Sequence, residues 1–143
     1  KACASKGYKK LGGSKPLNPA PRTDRQKLIR ELDTIFSINR RKQFADKEGN
    51  CKCFTCDRVD SWNGGVIALG HFITRSNMCV RWHPMNGHPQ CFECNVIKQG
   101  NIEVYRENLI REYGIEKFNE FINSSKEVCN YTILDLEEIK KKL

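Results

Sequence analysis

The sequence predicts an α+β fold, a small β core held by two cysteine turns and flanked by helices. Three observations predict it. Two C-x-x-C pairs, Cys53/Cys56 and Cys91/Cys94, bracket the middle of the chain. Between them lies "VIALGHFITR", rich in β-branched and apolar residues, which reads as a strand. Outside them the apolar residues recur at helical spacing.

The 143 residues suffice for one compact domain with an appendage, and not for two well-buried cores. Residues 1–22, "KACASKGYKKLGGSKPLNPAPR", hold abundant Gly, Pro and Lys without periodicity and are expected to form a flexible basic arm. Residues 23–48 form a basic helical segment, the helix itself running over about residues 24–46. Thr23 or Asp24 caps it, and Leu28, Leu32, Ile35 and Phe36 line one face. Arg25, Lys27, Arg30, Arg40, Arg41 and Lys42 lie between and beyond them. "KEGN" breaks the helix, and "CKCFTCDR" opens a core over residues 49–114 with a tight turn. The strand that follows carries Gly70 and His71 near its middle. After a loop, "HPQCFECNVIKQG" reads as a short strand, a turn and the start of a helix at Asn95. A helix in "NIEVYRENLIREYG" ends at Gly114. Residues 115–143 supply two more C-terminal helices, the last opened by Thr132 and Asp135 in a capping-box pattern.

Lys and Arg number 25 against 17 Asp and Glu, a net charge of +8, which favours a polyanionic partner and above all nucleic acid. No apolar run reaches bilayer-spanning length and no signal-peptide core is present, so no membrane role and a cytosolic compartment are expected. A first residue of Lys1 rather than Met suggests that a longer protein surrounds this sequence.

Eight cysteines in a secreted miniprotein would imply disulfides, but this composition builds a core without them and the spacing points to metal. Thiolates two residues apart on a turn share one ion, and two such turns close a tetrahedral shell. Cys53, Cys56, Cys91 and Cys94 are therefore expected to hold a structural Zn2+ with no position open for water. Cys51 could replace Cys53 as partner of Cys56, although C-x-x-C is the commoner geometry. Cys79 and Cys129 are expected to be small buried hydrophobes. Cys3 could be the remnant of a further site.

With the clamp closed, residues 57–90 return to the same metal, and the His71 strand lies beside the helix that begins at Asn95. This order of zinc knuckle, β-hairpin and helix is a treble clef. It gathers His71, Asn86 and Asn95 into a candidate catalytic set. Each has a plainer reading: a core histidine, the turn asparagine of an Asn-Gly pair, and a helix cap. His88 could approach the metal or face solvent, and His83 reads as loop. Arg75 and Arg81 flank the hairpin as candidate phosphate contacts, with Lys98 one turn beyond Asn95 and Arg40 and Arg41 on the basic helix.

The string "CFTC…GH…NGHPQCFECNVIK" resembles the zinc-containing HNH, or His-Me finger, nucleases, whose ββα-metal core performs metal-assisted DNA hydrolysis. More narrowly, "GHF…RW…NGHPQCFECNVIKQGN…Y…L" is similar to the lambda NinG group of phage recombination endonucleases, which act on Holliday junctions and D-loops. Phage endonuclease VII is similar in placing a magnesium-binding asparagine after its second zinc knuckle. The resemblance, over about residues 51–114, implies His71 as general base, Asn95 as ligand to Mg2+ or Mn2+, and Asn86 as orienter of the His71 strand. It also implies branched DNA as partner, a possible homodimer, and a phage or prophage protein in the bacterial cytoplasm. One departure matters: the acidic residue that usually precedes the histidine is here Gly70. Asp57, Asp60 and Glu103 are the candidates for the missing oxygen donor. The rival reading is a non-catalytic zinc-finger DNA-binding module on the same fold.

Overall fold

Thr23 starts the first helix. Its hydroxyl accepts from the Gln26 amide, the Gln26 side chain accepts from the Thr23 amide, and the helix α1 runs over Asp24–Gln43. The computed structural model that carries it describes residues 21–143, so Cys3 and residues 1–20 of the expected arm lie outside the described residues. Leu28, Leu32 and Phe36 are buried along one stripe of α1 against Trp82 and Leu136. Each such side chain contributes about 1.5–3 kcal/mol by leaving water.

A first hairpin pairs β1 (Asn50–Lys52) with β2 (Val59–Ser61), and the Cys53/Cys56 turn is its tip. The sequence suggested only a turn here, because strands of three residues have no readable alternation. A second hairpin pairs β3 (Ile67–His71) with β4 (Gly87–Cys91), in register from Ile67 opposite Cys91 to His71 opposite Gly87. A short 3-10 turn, Pro84–Asn86, leads into β4. Gly87 is where α1 crosses the sheet, and a Cβ there would stand 2.7 Å from the Phe36 ring.

The expected helix after the second knuckle is interrupted. Glu93–Ile97 forms a π-helical turn, and Gln99, Gly100 and Asn101 all take positive φ before α2 begins at Ile102. Asn95 thus sits on a wide turn rather than on the first turn of a long helix. α2 (Ile102–Tyr113) and α3 (Ile115–Ser124) pack Tyr105, Leu109, Phe118 and Phe121 against Val80 and Met85. α4 (Ile133–Lys142) opens with the capping box at Thr132 and Asp135 and returns to α1 through Leu136.

Cys79 and Cys129 depart from expectation. They are joined as a disulfide that ties the loop after β3 to the segment before α4. The reversal of the chain at α3 brings these distant positions together, and Asn77 Nδ2 also donates to Ser125 O at 2.6 Å across the same contact.

Candidate functional site

Four sulfurs come first. The Sγ atoms of Cys53, Cys56, Cys91 and Cys94 all lie within 4.8 Å of one another, and Cys56 and Cys91 are 3.7 Å apart. A tetrahedral ion with bonds of about 2.3 Å to sulfur sets its ligands roughly 3.8 Å apart, so this cluster is positioned to hold a metal such as zinc. The Cys91 amide donates to Cys53 Sγ at 3.4 Å, which orients that sulfur. Cys51 stands outside the cluster, with its thiol on Arg41 O at 3.0 Å.

The clamp fixes the C-terminal end of β4 at Cys91 and, through Cys94, the turn that carries Asn95. His71 and Asn95, 24 positions apart in the chain, line one cavity of about 300 Å³ together with Asp33, Ser37, Leu69, Thr74 and Arg75. His71 is half-buried. Burial, then the nearby Arg75, lowers its pKa to about 4 against an opposing pull from Asp33. Its imidazole is therefore neutral near pH 7, the form that can accept a proton.

Asn86 is fully buried and does not line the cavity. Its Oδ1 accepts from the Ile73 amide at 2.7 Å and its Nδ2 donates to Ile73 O at 3.0 Å. The Phe72 amide donates to Asn86 O at 3.1 Å. These bonds clamp the chain directly after His71. A second support comes from His88, which neither approaches the metal nor faces solvent. It is buried and stacked on Phe54, with Nδ1 3.0 Å from Tyr105 Oη and Nε2 3.1 Å from Tyr113 Oη. Tyr105 donates to Gly70 O at 3.2 Å, so it must accept from His88 Nδ1–H, and His88 Nε2 accepts from Tyr113. This relay holds the carbonyl of the residue before His71.

Gly70 is explained by what it faces. Alternation along β3 points its missing side chain away from His71, and an added Cβ would stand 2.6 Å from Gln90 Cδ and closer still to Gln90 Oε1. An acid there could not reach the cavity. Nor do the expected substitutes line it. Asp57 is exposed and paired with Lys52 at 2.7 Å, Asp60 accepts from the Ser61 amide at 2.8 Å, and Glu103 is exposed on α2. The carboxylate of the cavity is Asp33 of α1, which sequence reasoning missed. Nothing in the sequence singled it out, since Glu31 flanks the core position Leu32 as well.

Asp33 organises the basic side of the cavity. Arg81 Nε and Nη2 donate to its two oxygens at 2.9 and 2.7 Å, Trp82 Nε1 donates at 3.0 Å, and Arg75 Nη1 stands at 3.9 Å. Arg75 is thus the one expected phosphate contact that both lines the cavity and stays exposed. Arg40 is corrected, and Arg81 and Lys98 are found in ion pairs. Arg40 is buried, donating to Gly87 O at 3.0 Å and Pro84 O at 2.8 Å, because α1 must satisfy the carbonyls of the 3-10 turn it covers. Arg81 is held by Asp33, and Lys98 is exposed away from the cavity and paired with Glu93 at 3.1 Å. Arg41 is half-buried, and its Nη1 donates to Trp62 O at 2.6 Å.

Comparison with known proteins adds the lineage. The family profile described as "Bacteriophage Lambda NinG protein" matches residues 23–143. This chain belongs to the NinG family. It is similar to "Protein ninG" of Escherichia phage 933W, with 30% identity over 100 residues, 68% of this chain and 47% of that protein. The similarity to "Protein ninG" of Escherichia phage lambda is 31% identity over 98 residues, 66% of this chain and 45% of that protein. This NinG-family chain therefore spans about half the length of the curated relatives it matches. No solved structure matches it. No helix among the described residues is long and apolar enough to cross a membrane.

Proposed function

We propose that this NinG-family chain is a metal-dependent DNA endonuclease of the HNH, or His-Me finger, type, acting on branched recombination intermediates in the host cytoplasm. One observation carries the reading: His71, neutral and half-buried, shares a cavity with Asn95, Asp33 and an exposed Arg75. Cys53, Cys56, Cys91 and Cys94 would hold a structural zinc ion that anchors β4 and the Asn95 turn.

His71 takes a proton from a water molecule as its oxygen bonds to phosphorus. The bond from phosphorus to the 3′ oxygen then breaks, leaving a 5′ phosphate and a 3′ hydroxyl once solvent supplies that oxygen with a proton. Arg75 binds the phosphate oxygens and Asn86 keeps β3 in place behind His71. The amide oxygen of Asn95 is a donor that suits a hard divalent ion, whereas the Asp33 carboxylate is held by Arg81 and Trp82 and would join it only by giving up that pair. When bound, Mg2+ or Mn2+ supplies charge stabilisation at the scissile phosphate and the departing oxygen. A junction cut on two strands calls for two such sites, hence two copies of the chain.

The test is cleavage of a labelled four-way junction beside a linear duplex of the same sequence, with and without Mg2+, by wild type and His71→Ala. Cutting of the junction that needs Mg2+ and is lost in the variant is expected. Binding without cutting, alike in both proteins, would replace this reading with a DNA-binding module that lacks catalysis.

A further inference from the structure

The cavity at His71 does not end there. Two open depressions adjoin it, one of about 320 Å³ lined by Asp33, Thr34, Ser37, Ile38, Arg41 and Arg75, the other of about 530 Å³ lined by Arg30, Asp33, Thr34, Arg75, Ser76 and Arg81. All three share Asp33 and Arg75, so they form one continuous groove along the solvent side of α1. Arg30, Thr34, Ser37 and Arg41 occupy positions i, i+4, i+7 and i+11, a single stripe of the helix.

The charge of this stripe is the decisive property. Asp33 is the one carboxylate lining the groove, and the bidentate Arg81 neutralises it. Among the described residues Arg30 makes no ion pair, Arg75 makes only the 3.9 Å approach to Asp33, and the second terminal nitrogen of Arg41 has no hydrogen-bond partner. Three guanidinium groups thus face an open polar groove with little to balance them. The Ser37 hydroxyl, likewise unpartnered among the described residues, adds a donor between them. From Arg30 to Arg41 the helix rises about 16 Å, which matches roughly five steps of a nucleic-acid strand at 3.4 Å each.

We infer that this groove is the track for the sugar-phosphate backbone of a DNA strand leading from the His71 cavity, with Arg75 at its start and Arg30 and Arg41 along α1. The inference rests on the reading of that cavity as a DNA site. Contacts of these guanidinium and hydroxyl donors to phosphate oxygens would carry shape and charge and no sequence information. It keeps the phosphate-binding task that the sequence suggests for α1 and changes the residues that perform it: the stripe at Arg30, Thr34, Ser37 and Arg41 binds DNA, while Arg40 belongs to the interior.

Binding and cleavage separate in the test. Fluorescence anisotropy of a labelled four-way junction is followed across a NaCl series, with His71→Ala as the parent so that nothing is cut. Arg30→Gln and Arg75→Gln are added to that parent, and Lys117→Gln on exposed α3 is the control. Circular dichroism confirms that each variant is folded. Each groove variant is expected to weaken binding by about three- to ten-fold and to flatten the slope of log K against log salt by about 0.9, the loss of one phosphate contact. The control is expected to change neither. Unchanged affinity and slope in Arg30→Gln would overturn the track whether or not the wild type cleaves DNA. The expected losses with a wild type that cuts no junction would sustain the track and sink the nuclease reading.

Discussion

Replacing Gly70 by alanine tests how the fold excludes an acidic residue beside His71. The new Cβ would stand 2.6 Å from Gln90 Cδ and 2.9 Å from Gln90 Cγ, inside any real contact distance. Gln90 is fully buried, and its Nε2 donates to Thr55 Oγ1 at 2.9 Å and to Gly100 O at 2.8 Å. Its Oε1, which faces Gly70, has no partner. The side chain must therefore leave its place and give up two buried hydrogen bonds, about 1 kcal/mol each. Residual overpacking adds about 1–3 kcal/mol, and the stiffer unfolded chain returns less than about 1 kcal/mol. The expected loss is about 2–5 kcal/mol, read from urea unfolding followed by tryptophan fluorescence. Gln90→Ala removes the obstacle, so in the double variant the two changes should couple favourably by about 2 kcal/mol. Gly70→Asp should be no tighter than wild type for Mn2+, because its carboxylate would point away from His71. A Gly70→Ala protein within about 0.5 kcal/mol of wild type, or strict additivity with Gln90→Ala, would refute the argument.

Two further outcomes are expected. Metal analysis of the purified protein should find one zinc per chain, and Cys91→Ser, which removes one of four ligands, should lose that metal and the cooperative thermal transition together; full metal content in the variant would contradict the four-sulfur assignment. Stability should also fall as pH drops below neutrality. Burial, with Arg75 acting second on His71 and Arg40 second on His88, lowers their pKa values to about 4 and about 3. The unfolded chain then binds more protons than the folded one, so the stabilisation is fully present above the unfolded value of about 6.5 and is lost as pH falls toward 4 and 3. The slope should approach about 1.4 kcal/mol per pH unit for each histidine, measured from urea midpoints between pH 7 and 5. Midpoints flat over that range would show that neither ring is held neutral by burial.

The parts of this site that were legible in the sequence are those fixed by local chemistry. Two C-x-x-C turns carry their ligand geometry within four residues each, and Thr132 with Asp135 announces a helix start in the same way. Even the meeting of His71 and Asn95 followed, since a clamp on Cys91 and Cys94 leaves β4 few places to lie. Gly87 and the run of positive φ at Gln99, Gly100 and Asn101 were half-legible, because Gly and Asn mark such backbone without saying what approaches it. The rest depends on how α1 docks. Arg40 and Asp33 look alike in the sequence as charges on a basic helix, yet one is buried against the Pro84 and Gly87 carbonyls and the other gathers Arg81 and Trp82. Arg40 continues the i, i+4 series of Leu28, Leu32 and Phe36 and so shares their inward face, but the groups that meet it and Asp33 depend on where α1 crosses Gly87. The pairing of Cys79 with Cys129 is hidden for the same reason, 50 residues apart across the reversal at α3.

That docking is also what joins the two halves of the site. The cysteine-clamped hairpin and the turn after it supply His71 and Asn95 but no carboxylate, since Gly70 faces Gln90 on the far side of β3. α1 brings Asp33 to the cavity from outside the cysteine-bracketed core and, through Arg81, fixes the loop that holds Arg75. A histidine and an asparagine from the cysteine-clamped core thus share a cavity with a carboxylate from a helix that also borders the adjoining groove. The acid missing beside the histidine and the unbalanced arginines along the helix are then two consequences of one packing choice. Any rearrangement that lifted α1 from Gly87 would remove the carboxylate and the track at once while leaving the four sulfurs in place.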